Sequence, residues 1–181
     1  MSFSTRSATL VLSAGLLALA GCRDAPPQPN IVLIVTDDQA ASTLAHMPFV
    51  QRDLVQQGLS FENFILNDPV CCPSRVTILL GQYLHNHQLE VGHPGGCAYR
   101  FLEDQDERQT IGARIQSAGY RTGLVGKYLN SHKEYLESQM GKPGSPLLTG
   151  WDDYHVLTGF TRYYNFFSDE NGEFVHHDEK P

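Results

Sequence analysis

The chain has 181 residues, 41% of them hydrophobic and 18% charged, and a formal net charge of −7. This is the balance of an ordinary globular protein and excludes a chain that stays disordered for want of apolar residues. The acidic sign argues against a nucleic-acid surface, which needs a basic patch, so no nucleic acid is expected as a partner.

In chain order, Arg6 precedes an apolar stretch from Ala8 to Ala20, closed by Leu19-Ala20-Gly21-Cys22. The stretch is short for a membrane span and has the size of the apolar region of an export signal. Its ending resembles the lipobox of bacterial lipoproteins. That resemblance implies a signal peptide over residues 1–21, cleavage before Cys22 and lipidation of the Cys22 thiol. It also implies an exported protein of the cell envelope, on the periplasmic or outer-membrane face, held to the membrane through that lipid. A secretory signal without lipid and an apolar N-terminal helix are the other readings of the same residues. Residues 22–29 follow as a Pro-rich tether.

Ile31 to Val35 is an unbroken apolar run rich in β-branched residues, which predicts a strand buried on both faces, as in a parallel sheet. Asp37 and Asp38 would then lie at the carboxyl end of that strand, where open α/β sheets place their ligands. Met47 to Gln57 predicts a helix stopped by Gly58, and Leu59 to Phe64 alternates like a strand. Asn67-Asp68-Pro69 reads as a turn. Ser74 to Leu80 predicts a helix ending at Gly81. Thr110 to Ala118 predicts another, with Thr110 as N-cap and Gly119 as its stop. Tyr120 to Val125 predicts a strand closed by Gly126-Lys127. From Asn130 onward Gly, Pro and aromatic residues predict mostly loops. Strands alternating with helices indicate an α/β fold with a mostly parallel central sheet flanked by helices.

Four cysteines would suit disulfides in an exported protein. With Cys22 lipidated, Cys71, Cys72 and Cys97 remain. Adjacent cysteines pair poorly, so a Cys72–Cys97 bridge is open and would leave Cys71 for another use.

The most specific segment is Val70-Cys71-Cys72-Pro73-Ser74-Arg75-Val76-Thr77-Ile78-Leu79-Leu80-Gly81. It resembles the signature of the sulfatase family, Cys-x-Pro-Ser-Arg followed by x-x-x-Leu-Thr-Gly. In that family the first cysteine, here Cys71, is oxidised after translation to formylglycine by a formylglycine-generating or other sulfatase-maturing enzyme. The resemblance implies that one hydroxyl of the hydrated aldehyde attacks sulfur as a covalent nucleophile, and that the second hydroxyl later expels sulfate. Ser74 would belong to the sequence that the modifying enzyme reads, and Arg75 would point at the diol and the metal. Pro73 pre-sets a turn, and a helix N-terminus beside the diol favours negative charge there. Leu80 departs from the family's usual Thr, and Gln82 from the basic residue that often follows.

Pro29 to Gln39, with Asp37-Asp38 after its apolar run, resembles the opening strand of a sulfatase. The resemblance implies that Asp37 and Asp38 ligate a divalent cation, most often Ca²⁺, together with the side chain at Cys71. Adjacent carboxylates supply the hard oxygen ligands and charge such an ion needs, and the metal would polarise a sulfate oxygen and the diol. Gly123-Leu124-Val125-Gly126-Lys127-Tyr128-Leu129-Asn130 resembles the family's Gly-Lys segment, which implies that Lys127 binds a sulfate oxygen. Many members carry a histidine two positions after this lysine, where Leu129 stands here. The Gly-Lys-Tyr-Leu-Asn form, the Cys-Cys pair and Gly150-Trp151 resemble the N-acetylglucosamine-6-sulfatase branch. Tyr83-Leu84-His85-Asn86-His87 falls where that branch often has His-Asn-His, so either His85 or His87 is a candidate to face the substrate. His176-His177 reads as surface.

The resemblance covers residues 29–151, and its members are usually more than twice as long, with a second metal pair, a second lysine and a further histidine later in the chain. Residues 30–181 therefore read as the truncated N-terminal part of a sulfatase catalytic domain of the alkaline phosphatase-like class. The implied function is hydrolysis of sulfate esters on a sulfated carbohydrate or an aryl sulfate. A phosphonate or phosphodiester hydrolase on the same scaffold is a related alternative. An inactive, truncated sulfatase-like lipoprotein that at most binds glycan is another.

Overall fold

A computed structural model of the protein describes residues 28–89, 96–104, 107–139, 148–159 and 162–178. The expected signal peptide, Cys22 and most of the tether lie outside the described residues. No helix among them is long and apolar enough to cross a membrane. The chain divides into two compact units, Met1–Thr36 and Asp37–Pro181.

In the first unit, the apolar run of Ile31 to Val35 forms no strand, and its side chains are between 45% and 81% exposed. This corrects the expectation of a strand buried on both faces. An apolar β-branched run is stable as a strand only when neighbours take up its backbone N–H and C=O groups, and these residues have no strand pairing among the described residues. Leu59 to Phe64, in the second unit, departs in the same way: its alternation is real, but the segment is unpaired and Leu59, Phe61 and Phe64 are exposed.

The second unit opens with a 3₁₀ turn, Ala41–His46, and a short helix α1, Pro48–Val50, which continues into a π turn over Gln51–Val55. Thus the helix expected over 47–57 is present in a mixed form, and Gly58 follows it. Helix α2, Cys71–Leu80, begins three residues earlier than the sequence pattern predicts. It stops where Gly81 turns left-handed and its N–H reaches the carbonyl of Thr77 at 2.9 Å. Short α3, Leu84–His87, follows, then α4, Cys97–Asp104. Helix α5, Ile111–Ser117, is capped as its sequence predicts: Ala113 N–H donates to Thr110 Oγ1 at 3.3 Å.

Strand β1, Gly123–Lys127, runs parallel to β2, Asp153–Thr158, with Gly123 opposite Asp153 and Lys127 opposite Leu157. Strands β3, Phe166–Glu170, and β4, Glu173–His177, extend the sheet antiparallel, in the order β1-β2-β3-β4. The α/β class stands, with parallel pairing in this sheet confined to β1 and β2. The mostly looped region expected after Asn130 is corrected by helix α6, His132–Gln139, and by β2, β3 and β4. Its signals were present. Tyr154, Val156 and Thr158 alternate as buried residues along β2, and Asn171-Gly172, both at positive φ, is a hairpin turn that matches strand twist.

The core gathers Val76, Leu79 and Leu80 of α2, Ala98 and Phe101 of α4, and Val156 of β2. Tyr128 and Leu129, just after β1, are buried in it, and the ring of Phe101 meets Tyr128 edge-on. Cys72 and Cys97 form a disulfide between α2 and α4 across 25 residues of chain, and Cys71 stays a free thiol. Closing a loop of this length restricts the unfolded chain by about 3 kcal/mol. Replacing both bridge cysteines with alanine is expected to lower stability by about that amount, read from urea unfolding, with no further loss on adding reductant.

Gly150 and Gly119 both have φ near +90°, at 89° and 90°. A Cβ at Gly150 would collide with the backbone of Ala113, whereas one at Gly119 meets nothing within 4 Å. Gly119→Ala is expected to cost about 1–2 kcal/mol from the left-handed backbone alone. Gly150→Ala should cost about 1–3 kcal/mol more, because α5 must shift. Equal unfolding midpoints for the two variants would contradict this packing.

Candidate active site

Helix periodicity sorts α2 into two faces. Cys72, Val76, Leu79 and Leu80 point into the core, which leaves Cys71 and Arg75, one turn apart, on a partly open side. The entry to the helix is set by the Asn-Asp-Pro turn. Asp68 Oδ1 accepts from Val70 N–H at 2.7 Å, Val70 is extended, and Cys71 becomes the first helical residue. The unpaired N–H groups of that first turn and the helix dipole make its surroundings favourable to an anion.

Arg75 reaches two other segments. Its Nη2 donates to Asp37 Oδ2 at 2.9 Å and its Nη1 donates to the carbonyl of Lys127 at 2.5 Å. Lys127, the last residue of β1, places Nζ 2.7 Å from the same Asp37 Oδ2. Residues far apart in sequence therefore meet around one carboxylate oxygen. The hydrogen bond from Lys127 holds the Asp37 carboxyl below its usual pKa of 3.8; desolvation opposes it, and the charge of Lys127 and the Arg75 hydrogen bond and charge add to the lowering. Asp38 follows at positive φ and is exposed.

Cys71, half-buried, donates its thiol hydrogen to Asn130 Oδ1 at 3.2 Å. Asn130 stands at the end of the Gly-Lys-Tyr-Leu-Asn segment, and sequence reasoning gave it no role. The signal was its fixed spacing, three residues beyond Lys127.

The two histidines separate. His87 is buried, and both ring nitrogens are engaged: Leu89 N–H donates to Nδ1 at 3.2 Å, and Nε2 lies 3.0 Å from Thr77 Oγ1. Since Nδ1 accepts, Nε2 carries the hydrogen in the neutral ring and donates to Thr77. Burial lowers the pKa of His87 and so favours that neutral form. His85 is exposed and stacks on Tyr83. The structure thus brings Asp37, Arg75 and Lys127 together, sets Asn130 against Cys71, and packs His87 onto α2.

Among the described residues, no set of three or more His, Cys, Asp or Glu side chains gathers to hold a metal. Asp37 and Asp38 offer ionised oxygen donors of the kind a hard cation takes, but two carboxylates supply only part of the six to eight oxygens of a calcium shell.

The lowered Asp37 pKa gives a pH dependence. The carboxylate's contribution is complete above its unfolded value near 3.8 and is lost as pH falls through the lower folded value. Asp37→Asn is therefore expected to be slightly less stable than the parent at about pH 6, with the gap narrowing as pH falls below 3.8. The gap should shrink in high salt, because the group is partly exposed. Urea unfolding across that range checks both points.

Comparison with known proteins gives a consistent picture. A protein-family model described as Sulfatase matches residues 29–173. The chain is 34% identical over 152 residues to an extracellular sulfatase SULF-1 homolog of Drosophila melanogaster, covering 83% of this chain and 13% of that one. It is 31% identical over 174 residues to the N-acetylglucosamine-6-sulfatase of Homo sapiens, covering 94% and 31%. It is 32% identical over 131 residues to an N-acetylglucosamine-6-O-sulfatase of Bacteroides thetaiotaomicron, covering 66% and 22%. The chain spans less than a third of the length of each of these relatives.

Proposed function

The chain belongs to the sulfatase family, and on that premise we propose that the protein hydrolyses sulfate esters, with the side chain at position 71 as nucleophile. The observation that carries this reading is the meeting of Asp37, Arg75 and Lys127 on the same structural unit as Cys71, which opens α2 one turn before Arg75. The side chain at 71, converted to formylglycine by a sulfatase-maturing enzyme, would supply a hydrated aldehyde hydroxyl as nucleophile. Lys127 binds a sulfate oxygen, exchanging its bond to Asp37 for one to the substrate. Arg75, tied to the Lys127 carbonyl, keeps its guanidinium directed at the same place. The N-terminal turn of α2 adds a favourable field for the anion.

Asp37 and Asp38, with the side chain at 71, would hold a divalent cation, Ca²⁺ by its hard oxygen donors, which polarises the sulfate group. The charge balance suits this. The two carboxylates and the two cations, Arg75 and Lys127, cancel, so a bound divalent ion leaves a positive surplus for a sulfate ester.

The relatives' names support a sulfated sugar, with N-acetylglucosamine-6-sulfate in a glycan as the first candidate and an aryl sulfate as the simpler one. Of the two candidate histidines, His85 is exposed while both ring nitrogens of His87 are engaged, which favours His85 as the one to meet it. Export with a lipid on Cys22 would bring such a polymer within reach.

Expression with a sulfatase-maturing enzyme tests the proposal. Mass spectrometry should find oxygen in place of the Cys71 sulfur, and the protein should release sulfate from N-acetylglucosamine-6-sulfate or an aryl sulfate in a Ca²⁺-dependent, chelator-sensitive way. Cys71→Ala is expected to abolish release, and Lys127→Ala to lower kcat/KM by about 10²-fold or more. A converted, calcium-supplied protein that leaves both esters intact would refute the proposal, as would a Cys71→Ala variant that turns over normally.

A further inference from the structure

Asn130 is joined to Cys71 in two ways. Its side-chain Oδ1 accepts the Cys71 thiol hydrogen at 3.2 Å. Its main-chain carbonyl accepts the N–H of Ala98 at 2.9 Å, and Ala98 follows Cys97, which is bridged to Cys72, the neighbour of Cys71. These links close a ring: Cys71, Cys72, the disulfide, Cys97, Ala98, the backbone of Asn130, its side chain, and Cys71 again. Within that ring Cys72, Cys97 and Ala98 are buried, and Leu129, before Asn130, is buried too. Of the two facing polar side chains, Cys71 is half-buried and Asn130 is exposed.

We infer that Asn130 is the positioning residue of the nucleophile: it fixes the side chain at 71 in one orientation, and the Cys72–Cys97 bridge holds Asn130 in place. The inference rests on the reading of residue 71 as nucleophile. An amide suits this task. Its carbonyl oxygen accepts a hydrogen from a thiol or from a hydroxyl alike, so the same contact serves Cys71 before modification and a hydrate hydroxyl afterwards. Leu129, two positions after Lys127, is buried and has no polar atom to offer. Asn130 is therefore the residue of this loop that reaches the nucleophile. The ring also gives the disulfide a task beyond stability, because it sets the distance between the α2 N-terminus and the loop after β1.

Two measurements test this. The first needs no conversion of Cys71. In Asn130→Cys, mild oxidation should join the introduced thiol to Cys71 with the Cys72–Cys97 bridge intact, as read by peptide mapping. A folded variant that forms no such bond overturns the inference. The second uses protein carrying formylglycine at 71. Asn130→Ala should leave KM within about twofold and lower kcat per converted site about tenfold, the scale of one lost hydrogen bond. It should also react several-fold faster with an aminooxy probe, because the hydrate loses its acceptor and more free aldehyde is present. Unchanged labelling and kcat would overturn the inference. The two readings fail separately. A converted wild type that cleaves no sulfate ester refutes the proposed function, while its aminooxy rate relative to Asn130→Ala still decides the role of Asn130.

Discussion

The site depends on the burial of one face of α2. Cys72, Val76, Leu79 and Leu80 recur at the spacing of a helical stripe, and their removal from water fixes the helix's rotation about its axis. Once that rotation is fixed, Cys71 and Arg75 have no freedom of direction. They must emerge on the side where β1 ends and where Asp37 lies. Polar contacts then refine a geometry that the apolar stripe has already chosen. The bonds of Arg75 to Asp37 and Lys127 are partly exposed and individually weak, and they could not orient a ten-residue helix by themselves.

The disulfide adds a constraint of another kind. Hydrophobic packing tolerates small slides of one helix past another, because it is not directional. A covalent bridge at Cys72, next to Cys71, removes that slack at the one place where it would move Cys71, the proposed nucleophile. The Ala98–Asn130 backbone bond carries the constraint on to the loop after β1. This explains why adjacent cysteines can differ so completely. Cys72 faces inward and is spent on the bridge, while Cys71 faces the site and stays free.

Much of this was legible in the sequence, and the failures have a common cause. Helix α5 could be read from Thr110 and Gly119, and α2 from its stripe and Gly81, because the relevant interactions are local. Lys127 was legible as the residue closing β1. The strands expected at 31–35 and 59–64 were not found, since a strand's stability comes from partners elsewhere in the chain and period alone does not supply them. The converse error fell on β2, β3 and β4, whose alternation was obscured by surrounding Gly and aromatic residues, although Asn171-Gly172 is a strong hairpin signal. His87 and Asn130 show the same limit at the level of side chains. Spacing marks a residue as close to the site, but which nitrogen is satisfied, or which oxygen meets a thiol, is decided by tertiary packing.

Asp37 ties these levels together. With no anion present, a lysine and an arginine brought to one place would repel each other, and their flexible side chains would drift apart toward solvent. Asp37 accepts both on a single oxygen, so they are held close before any ligand arrives. On the proposed reading, a sulfate group that enters has no need to order them and meets two cations already gathered, which lowers the entropic cost of binding. The same carboxylate is a candidate ligand for the divalent cation. On that reading, a metal that drew on Asp37 would weaken its hold on Lys127 and so release the lysine toward the anion. On the proposed reading, the metal competes with Lys127 and Arg75 for Asp37, while the sulfate competes with Asp37 for those two side chains, so occupancy of the metal site should tighten the grip of Lys127 on sulfate.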